Sequence, residues 1–448
     1  MGDAGKTWTV ATQRACYRFV RSRGIEASLK PLKDRLVSDF GAQARVEIAR
    51  SKGEHRVAFV FSGTIKYPPD IHNIKAHYLT EEMKRRGNRV DWVQIGGPEK
   101  RWNKDGISFS VLRAPKRGLW PEALQLLRLV LFCVVERVEL VYEDEWLFLR
   151  KRPLARLVGQ MILRRIGVKV VLDERDPYVD WEIASGKVKE GTGEHRRLSM
   201  MRSLLLRQTD LIILPSEAYA VLYKSEGIPE KKVFGIFRGI DQNLFEPKAR
   251  SEDTRSKLGL DGDFVIGWFG MMHPYRMVRE IIVPTIKNLS REMPNAHVLI
   301  GGEGPMIGEF ERLRNSEARN SFSMLGTIPY TELPEYIAAC DVTICPVNTD
   351  FRFSNYSNWL KIAESVAVGT PLIATRTEIA KRDFRDMKGV LWVGPDYPSF
   401  LRALKTIREH SESWRAEAEE QARHFEAYSI ASTIPKIVDR VVALVQTG

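Results

Sequence analysis

"NYSNWLKIAESVAVGTPLIAT", residues Asn355 to Thr375, is the stretch that decides the fold. A polar entrance precedes a short helical pattern, and Gly-Thr-Pro then leads into the apolar strand pattern TPLIAT. Ser357 or Asn358 is a suitable N-cap for a helix that reaches Val368, and Gly369 suits its C-terminal cap. The stretch therefore predicts a capped helix that is followed at once by a buried strand.

Outward from this stretch, apolar strand patterns alternate with helical patterns along most of the chain. The first half contains HRVAFVFSG, NRVDWVQI, VELVYED, VKVVLDERD and DLIILPS, and the second half contains FVIGWFG, AHVLIGG, SFSMLG, DVTICPV, TPLIAT and GVLWVG. Because these strands are apolar on both faces, they indicate parallel sheets that are covered by helices on each side. The sequence therefore predicts an α/β protein with two Rossmann-like, doubly wound units.

The alternation also predicts how the chain is divided. Residues 1–55 are helical in places but have no strand pattern, so they are expected to form an extension. The first unit is expected over residues 56–244 and the second over 245–427, with a linker at FEPKARSEDTR, Phe245–Arg255. Ligands of doubly wound sheets bind beyond the carboxyl ends of the strands, so the expected site is the cleft between the two units.

Composition narrows the class of protein. The chain has 448 residues, of which 44% are hydrophobic and 28% charged, as expected of a globular enzyme-sized protein. Its 4 cysteines form no C-x-x-C pair and accompany no histidine cluster, so we expect reduced thiols and no metal site. No signal peptide and no apolar run of membrane-spanning length is present, which favours a cytoplasmic protein.

The net charge of +12 is carried largely by basic residues in the first half, in APKRGLW, FLRKRPLARL and ILRRIGVK. Three partners are considered for this charge: an anionic membrane surface, a phosphorylated substrate and nucleic acid. Solvated helix faces, with long arginine stems lying along the surface, are an equally simple explanation. The sequence has no recognisable nucleic-acid-binding motif, so nucleic acid is not an expected partner.

The opening helix has the features of a nucleotide site. A helix N-terminus presents unpaired N–H groups and a partial positive charge, which suit a phosphate. Lys361 adds a full positive charge, and Glu364, three residues later on the same face, could accept hydrogen bonds from the two hydroxyls of a ribose. The alternative is a capped helix with a simple ion pair, which contributes only a few tenths of a kcal/mol.

Glycines follow two neighbouring predicted strands. Gly270 ends FVIGWFG, with Arg276 six residues later, and Gly302 ends AHVLIGG. Glycine permits a close approach of the backbone to a ligand, although most glycine turns of this kind bind no ligand.

These motifs together resemble a known family. FRGIDQNLFEP, GWFGMMHPYRM, AHVLIGGEGP, LGTIPYTELPEYIAACDVTICPV and LKIAESVAVGTPLIAT occur in the order and spacing typical of nucleotide-sugar glycosyltransferases of the GT-B fold, family 4. The resemblance spans nearly all of the second half. In the first half, VVLDERDPYVDW and RQTDLIILPSE are similar to the acceptor-side domain of the same family.

The resemblance implies roles for matching positions. Glu364 would hold the ribose, Lys361 and Arg276 would neutralise the diphosphate, and the backbone at Ile328 would meet the base. Asp173 and Asp176 fall where the acceptor and the reacting centre are contacted. The nucleotide-sugar contacts would be completed by Gly63, Gly270, Gly302, Ser357 and Asn358, and the residues acting directly in the reaction would be Asp176, Arg276 and Lys361.

Two motif positions depart from the family. Tyr356 stands where the first glutamate of the paired-glutamate motif would fall, and Met271 stands where the arginine of the basic pair would fall. The family's N-terminal Gly-Gly falls near residues 70–71, although Gly63 remains. The glutamate that usually contacts the hydroxyls of the donor sugar is therefore missing. One of the cations that usually offset the charge of the diphosphate is missing as well.

The resemblance implies a retaining glycosyltransferase that uses a UDP- or GDP-linked sugar, with no cofactor and no obligatory metal. The acceptor would be lipid-linked or a glycan, and the basic first unit fits a lipid-linked acceptor at the cytoplasmic face of a membrane. In this family the C-terminal stretch, here about residues 428–448, returns to the first unit. One alternative is a nucleotide-sugar epimerase of the same fold. The other is a non-catalytic, glycosyltransferase-like scaffold subunit, an alternative motivated by the missing glutamate and arginine.

Overall fold

The computed structural model describes residues 55–61, 74–95, 100–112, 121–144, 153–174 and 176–446. Within these ranges the chain forms two sheets. The first has the strand order β3-β4-β2-β1-β5-β6-β7-β8 and the second β11-β10-β9-β12-β13-β14. The strands are β1 Arg56–Phe61, β2 Arg89–Ile95, β3 Lys100–Lys104, β4 Ile107–Leu112, β5 Leu140–Asp144, β6 Lys169–Asp173, β7 Leu211–Leu214, β8 Val233–Gly235, β9 Phe264–Phe269, β10 Ala296–Gly301, β11 Phe322–Met324, β12 Val342–Cys345, β13 Leu372–Thr375 and β14 Val390–Val393.

Helices cover both faces of each sheet. They are α1 Ile74–Arg85, α2 Pro121–Val135, α3 Pro153–Arg165, α4 Tyr178–Ala184, α5 Gly193–Gln208, α6 Glu217–Ser225, α7 Glu252–Lys257, α8 Val283–Glu292, α9 Ile307–Arg314, α10 Leu333–Ala338, α11 Arg352–Tyr356, α12 Leu360–Val368, α13 Glu378–Arg382, α14 Tyr397–Glu409, α15 Ser411–Arg423 and α16 Ile430–Gln446.

The predicted architecture of two doubly wound α/β sheets is confirmed. Neighbouring strands run parallel, with Val57 of β1 opposite Val90 of β2 on one side and Leu140 of β5 on the other. All six residues of β9 are buried, because apolar helix faces cover both sides of the second sheet. Burial on both faces is why these strands are continuous apolar runs rather than alternating ones.

One edge of the first sheet departs from parallel pairing. β3 and β4, neither of which was predicted, form an antiparallel hairpin, with Lys100 opposite Val111. Asp105 and Gly106, both with positive φ, make the turn between them. β3 is almost entirely exposed and carries three cations, so it lacks an apolar signal; its charges also protect the open edge from pairing with another chain.

The segment predicted to be a linker, Phe245–Arg255, is packed rather than free. Phe245 is buried in the core of the second unit, and the Arg255 side chain is completely buried. The Arg255 guanidinium donates to the carbonyl of Ala339 at 3.0 Å and to the carboxylate of Asp341 at 3.1 Å. These contacts fix the start of the second unit to its own sheet.

The last helix, α16, packs on the first sheet. Its residues Ile434, Ile437, Val438 and Val441 are buried in the same cluster as Val57 and other apolar side chains of β1, β2 and β5. Arg86, just after α1, donates to the carbonyl of Pro435 at 3.3 Å and pairs with Asp439. The chain therefore returns from the second unit to complete the core of the first.

Among the described residues, no helix combines the length and apolar character needed to cross a bilayer. Cys133, Cys340 and Cys345 are buried free thiols. Cys340 and Cys345 thus serve in core packing.

Replacing Ile437 with Ala tests how much α16 contributes to the first unit. Ile437 is fully buried, so Ile437→Ala should lower the free energy of unfolding by about 2–5 kcal/mol through lost burial and an unfilled cavity. Lys436→Ala, one residue away and exposed, should change it by less than about 0.5 kcal/mol. Urea unfolding of both variants, followed by circular dichroism, measures this; equal stabilities would contradict the packing role.

Candidate functional site

Two glycine turns lie side by side at the carboxyl edge of the second sheet. β9 leads into Gly270 and β10 leads into Gly302, and the two strands pair in parallel, so their ends meet at the same edge. Both glycines have strongly positive φ values, +135° and +132°. A Cβ on Gly302 would lie 2.0 Å from the carbonyl oxygen of Gly270, so only glycine fits there. The predicted glycine turns therefore form one compact backbone platform.

Ile328 lies over the same edge. A Cβ on Gly301 would come within 2.3 Å of the Ile328 Cδ1 atom, so the isoleucine side chain occupies the space above the end of β10. Gly302 donates its N–H to the carbonyl of Gly326 at 2.7 Å, which ties the segment before Ile328 to the platform. Gly63 lies outside the described residues.

Arg276 is a buried cation beside this platform. It ends a short 3-10 turn, Pro274–Arg276, and is 3% exposed. Its Nη1 lies 3.6 Å from the sulfur of Cys345, and its guanidinium lies 5.0 Å from the centre of the Trp359 ring. Its Nε and Nη2 atoms have no hydrogen-bond partner among the described residues. A Cβ on Gly270 would lie 3.7 Å from Nη2, so the free donors lie next to the platform.

The predicted N-cap of α12 is wrong. The N-cap is Trp359, whose side chain makes no capping hydrogen bond, whereas Ser357 closes the preceding helix α11. The Trp359 indole N–H instead donates to the carbonyl of Ser354 at 2.9 Å. The amino end of α12 is therefore left without a side-chain cap. The other end agrees with the prediction, because Gly369 adopts the left-handed conformation at φ +87°.

Asn358 has a buried amide just before the uncapped helix end. Neither its Oδ1 nor its Nδ2 atom has a hydrogen-bond partner within the described residues, although both are shielded from solvent. An amide side chain can make several hydrogen bonds, and buried polar groups in proteins nearly always make at least one. The unsatisfied amide and the free guanidinium nitrogens of Arg276 together indicate a site for a polar ligand.

Lys361 and Glu364 share one face of α12, as predicted. The Lys361 Nζ atom lies 2.9 Å from Oε2 of Glu364, and the Tyr330 hydroxyl donates to Oε1 at 3.2 Å. Glu364 is fully buried, whereas Lys361 is part-exposed. A Cβ on Gly270 would lie 3.4 Å from Cε of Lys361, so the lysine stem reaches the platform.

Asp173 ends β6 on the first sheet and is held in a buried network. Its Oδ2 atom accepts from Lys75 Nζ at 2.5 Å and from the Tyr142 hydroxyl at 2.5 Å, and Oδ1 lies 3.9 Å from Arg238. Burial disfavours its charge, but the two cations and the hydrogen bonds outweigh that effect and hold the pKa of Asp173 below its usual value. Asp173 is therefore a charged anchor at the carboxyl edge of the first sheet.

Asp176 is exposed and close to the second unit. Burial raises the pKa of the Tyr275 phenol, and the charge of Asp176 raises it further. Tyr275 precedes Arg276 in the same turn, and it packs in an apolar cluster with Trp181 and Ala184 of α4 and with Trp359. The carboxyl edges of the two sheets therefore face each other, with Asp176 on one side and the Arg276 turn on the other.

The two motif departures have different surroundings. Tyr356 packs against Tyr219 of the first unit, with ring centres 5.6 Å apart, and its carbonyl accepts from Ser216 Oγ at 2.8 Å. It thus serves the contact between the units. Met271 lies beside the glycine platform and is 57% exposed. Because it is a methionine, this position supplies no positive charge.

A polar contact between the units was missed from the sequence. Arg352 of α11 pairs with Asp180 of α4 at 3.1 Å, and Asp383 accepts from the backbone N–H groups of Glu217 and Ala218, at 2.7 and 3.2 Å, at the start of α6. Burial raises the pKa of Asp383 to about 6. Because the partners are far apart in the chain, no local spacing could have indicated them.

Residues 263–410 match the model of the family described as Glycosyl transferases group 1. None of the curated proteins compared with this chain matches its sequence.

Several solved structures are similar. The Anabaena protein HepE in complex with UDP and glucose is 16% identical, with a TM-score of 0.65, over 87% of this chain and 100% of that one. Sucrose-phosphate synthase from Thermosynechococcus elongatus is 17% identical, with a TM-score of 0.66, over 88% and 100%. The UDP-forming α,α-trehalose-phosphate synthase from Burkholderia vietnamiensis is 10% identical, with a TM-score of 0.62, over 88% and 98%. These likenesses, with the two facing sheets, show the GT-B fold.

Replacing Gly302 with Ala tests the platform. The new methyl group would collide with the Gly270 carbonyl, so Gly302→Ala should displace both turns and lower the thermal midpoint by several degrees, the size expected for a loss of about 1–3 kcal/mol. Gly308→Ala, in α9, meets nothing closer than 4.0 Å and should leave the midpoint unchanged or slightly raised. Differential scanning calorimetry compares the two; equal midpoints would contradict the close approach.

Proposed function

We propose that the protein is a glycosyltransferase that takes a sugar from a nucleotide-diphosphate sugar and places it on an acceptor held by the first unit. The single observation that carries this proposal is the buried guanidinium of Arg276, with two nitrogens unpartnered among the described residues, beside the Gly270–Gly302 platform and the uncapped end of α12. An anion with several oxygens, such as a pyrophosphate, fits such a set of donors.

The diphosphate would lie between Arg276 and Lys361. The glycine platform leaves room for it, and the N–H groups at the start of α12, with the Asn358 amide and Ser357 nearby, supply further donors. Charge builds up on the leaving diphosphate as the bond to the sugar breaks, and fixed cations in a shielded site stabilise that charge. Arg276 and Lys361 would thus both bind the donor and assist the reaction.

The nucleoside would lie along the second unit, with the ribose at Glu364 and the base at the backbone around Ile328. The bound UDP of HepE and the UDP-forming activity named for the trehalose-phosphate synthase support a uridine nucleotide as the first donor to test, ahead of a guanosine one. Assignment to family 4 of the glycosyltransferases is part of this proposal. It is supported by the order of the motifs, and it implies retention of the anomeric configuration.

The acceptor would approach from the first unit, past Asp176, which faces the Arg276 turn. A lipid-linked acceptor at the cytoplasmic face of a membrane is supported by the net charge of +12 and by two exposed apolar side chains, Leu127 of α2 and Val158 of α3, on helices that pack together. Cationic charge together with exposed apolar side chains suits an anionic membrane. A soluble glycan is the other acceptor class to test.

A screen followed by a transfer assay tests the function. UDP, GDP, ADP and their sugars are first compared by thermal shift, and a true donor should raise the melting temperature. The best donor is then incubated with polyprenyl-phosphate-linked acceptors in anionic vesicles and with soluble glycans. We expect release of the nucleotide diphosphate only with an acceptor, and NMR of the product should show the anomeric configuration of the donor.

Other outcomes of this assay point elsewhere. Epimerisation of the donor without an acceptor would identify an epimerase. Donor binding without turnover across the whole acceptor panel would favour a non-catalytic subunit, and no nucleotide binding at all would overturn the proposal.

Replacing Arg276 with Met tests the cation directly. The methionine keeps an unbranched stem against Trp359 but removes the charge, so affinity for UDP should fall about 10- to 100-fold while binding of uridine stays the same. The ligand-free protein should be no less stable, because the variant removes a buried charge that has no ion-pair partner among the described residues.

Arg279→Met is the matched control. Arg279 follows three residues later and is largely exposed, with Glu309 as its partner, so UDP affinity should match that of the wild type. Calorimetric titration with UDP and uridine measures both variants. Wild-type UDP affinity in Arg276→Met would refute the role of the guanidinium.

A further inference from the structure

Tyr330 is placed between an aromatic ring and the buried carboxylate of Glu364. Its ring centre lies 5.0 Å from that of Phe245, and its hydroxyl donates to Glu364 Oε1 at 3.2 Å. Burial raises the pKa of the Tyr330 phenol, and the charge of Glu364 raises it further, so the hydroxyl stays protonated and remains a donor. No motif in the sequence pointed to this residue.

The two oxygens of Glu364 are each held by one donor. Tyr330 holds Oε1, and Lys361 holds Oε2 at 2.9 Å. A carboxylate anchored at both oxygens cannot rotate about its terminal bond without losing a hydrogen bond, so its plane is fixed. Each carboxylate oxygen can accept two hydrogen bonds, and the described residues supply one donor to each, which leaves one further acceptor site per oxygen among them.

Two acceptor sites at a fixed spacing match the two adjacent hydroxyls of a ribose. We propose that Tyr330 is a positioning residue that fixes Glu364 for this pair of hydroxyls, and that the site thereby selects ribonucleotides over 2′-deoxyribonucleotides. This inference rests on the proposed function, since it concerns the nucleoside part of the same site. A 2′-deoxy sugar would leave one of these remaining acceptor sites unfilled on a fully buried carboxylate, and an unmade hydrogen bond in a shielded site is costly.

Tyr330→Phe isolates the hydroxyl. Phenylalanine keeps the ring contact with Phe245, so the variant should still fold, with a melting temperature lowered by a few degrees because buried Oε1 loses its donor. The carboxylate can then turn toward Lys361. A matched control is Tyr336→Phe in α10, because Tyr336 packs against the same core and no hydrogen bond of its hydroxyl holds Glu364.

The experiment measures the ratio of dissociation constants for 2′-deoxy-UDP and UDP by calorimetry in the wild type and both variants. If the screen selects another base, its ribo and deoxy forms are used instead. We expect a wild-type preference for the ribonucleotide of about 10- to 100-fold, which is retained in Tyr336→Phe. Tyr330→Phe should reduce this preference to about threefold or less, mainly by weakening UDP, since its affinity for the deoxy form has less to lose.

The outcomes separate this inference from the proposed function. A protein that binds nucleotides but shows the same ratio in Tyr330→Phe overturns the inference alone, as does a wild type without a ribose preference. Tighter UDP binding in Tyr330→Phe would identify the phenol as an obstacle to the ribose, which also overturns it. A protein that binds no nucleotide of any base overturns the proposed function and this inference together.

Discussion

A buried guanidinium that pairs with no carboxylate in the described part of the chain is the constraint on which the rest of the site depends. Arg276 is 3% exposed, and it contacts a thiol and an indole ring, neither of which neutralises its charge. Such a group is costly to bury, so the surrounding structure must hold it there. Trp359, at the start of α12, lies beside the guanidinium, and the neighbouring Tyr275 packs with Trp359 and with α4 of the first unit. The packing that offsets the cost of burying this charge also brings the carboxyl edges of the two sheets together.

The glycine turns and the helix end follow from that constraint. An unsatisfied cation is useful only if an anion can reach it, and bulky side chains at Gly270 or Gly302 would close the approach or collide with the neighbouring turn. A capping side chain at the start of α12 would occupy the N–H groups that the anion needs, and the side chain of the N-cap residue, Trp359, makes no such bond. The absence of side chains at the two glycines and of a capping side chain on Trp359 therefore matters to the site as much as the side chains that are present.

Much of the fold could be predicted because buried parallel strands leave a simple mark in the sequence. Apolar runs such as FVIGWFG and TPLIAT are buried on both faces, and the spacing of Lys361 and Glu364 places them on one helix face whatever surrounds them. The exposed edge strand β3 left no such mark, because its cations face solvent.

The finer features of the site could not be predicted for different reasons. Ser357 and Asn358 both have good capping side chains, but the short helix α11 ends at Ser357 and shifts the start of α12 to Trp359. The anchoring of Glu364 by Tyr330 joins residues from two elements that meet only in the folded chain, as do the Arg352 and Asp383 contacts between the units. Local pattern determines the elements, whereas the tertiary contacts decide which polar groups stay free.

The return of α16 to the first sheet has a consequence for how the protein is made. The apolar face of the first sheet that α16 covers remains open until residues 430–446 have left the ribosome. The first sheet is complete at β8, so the whole of the second unit is synthesised between that sheet and the helix that covers it. During this interval the nascent chain exposes an apolar sheet face, which would be a natural substrate for chaperones.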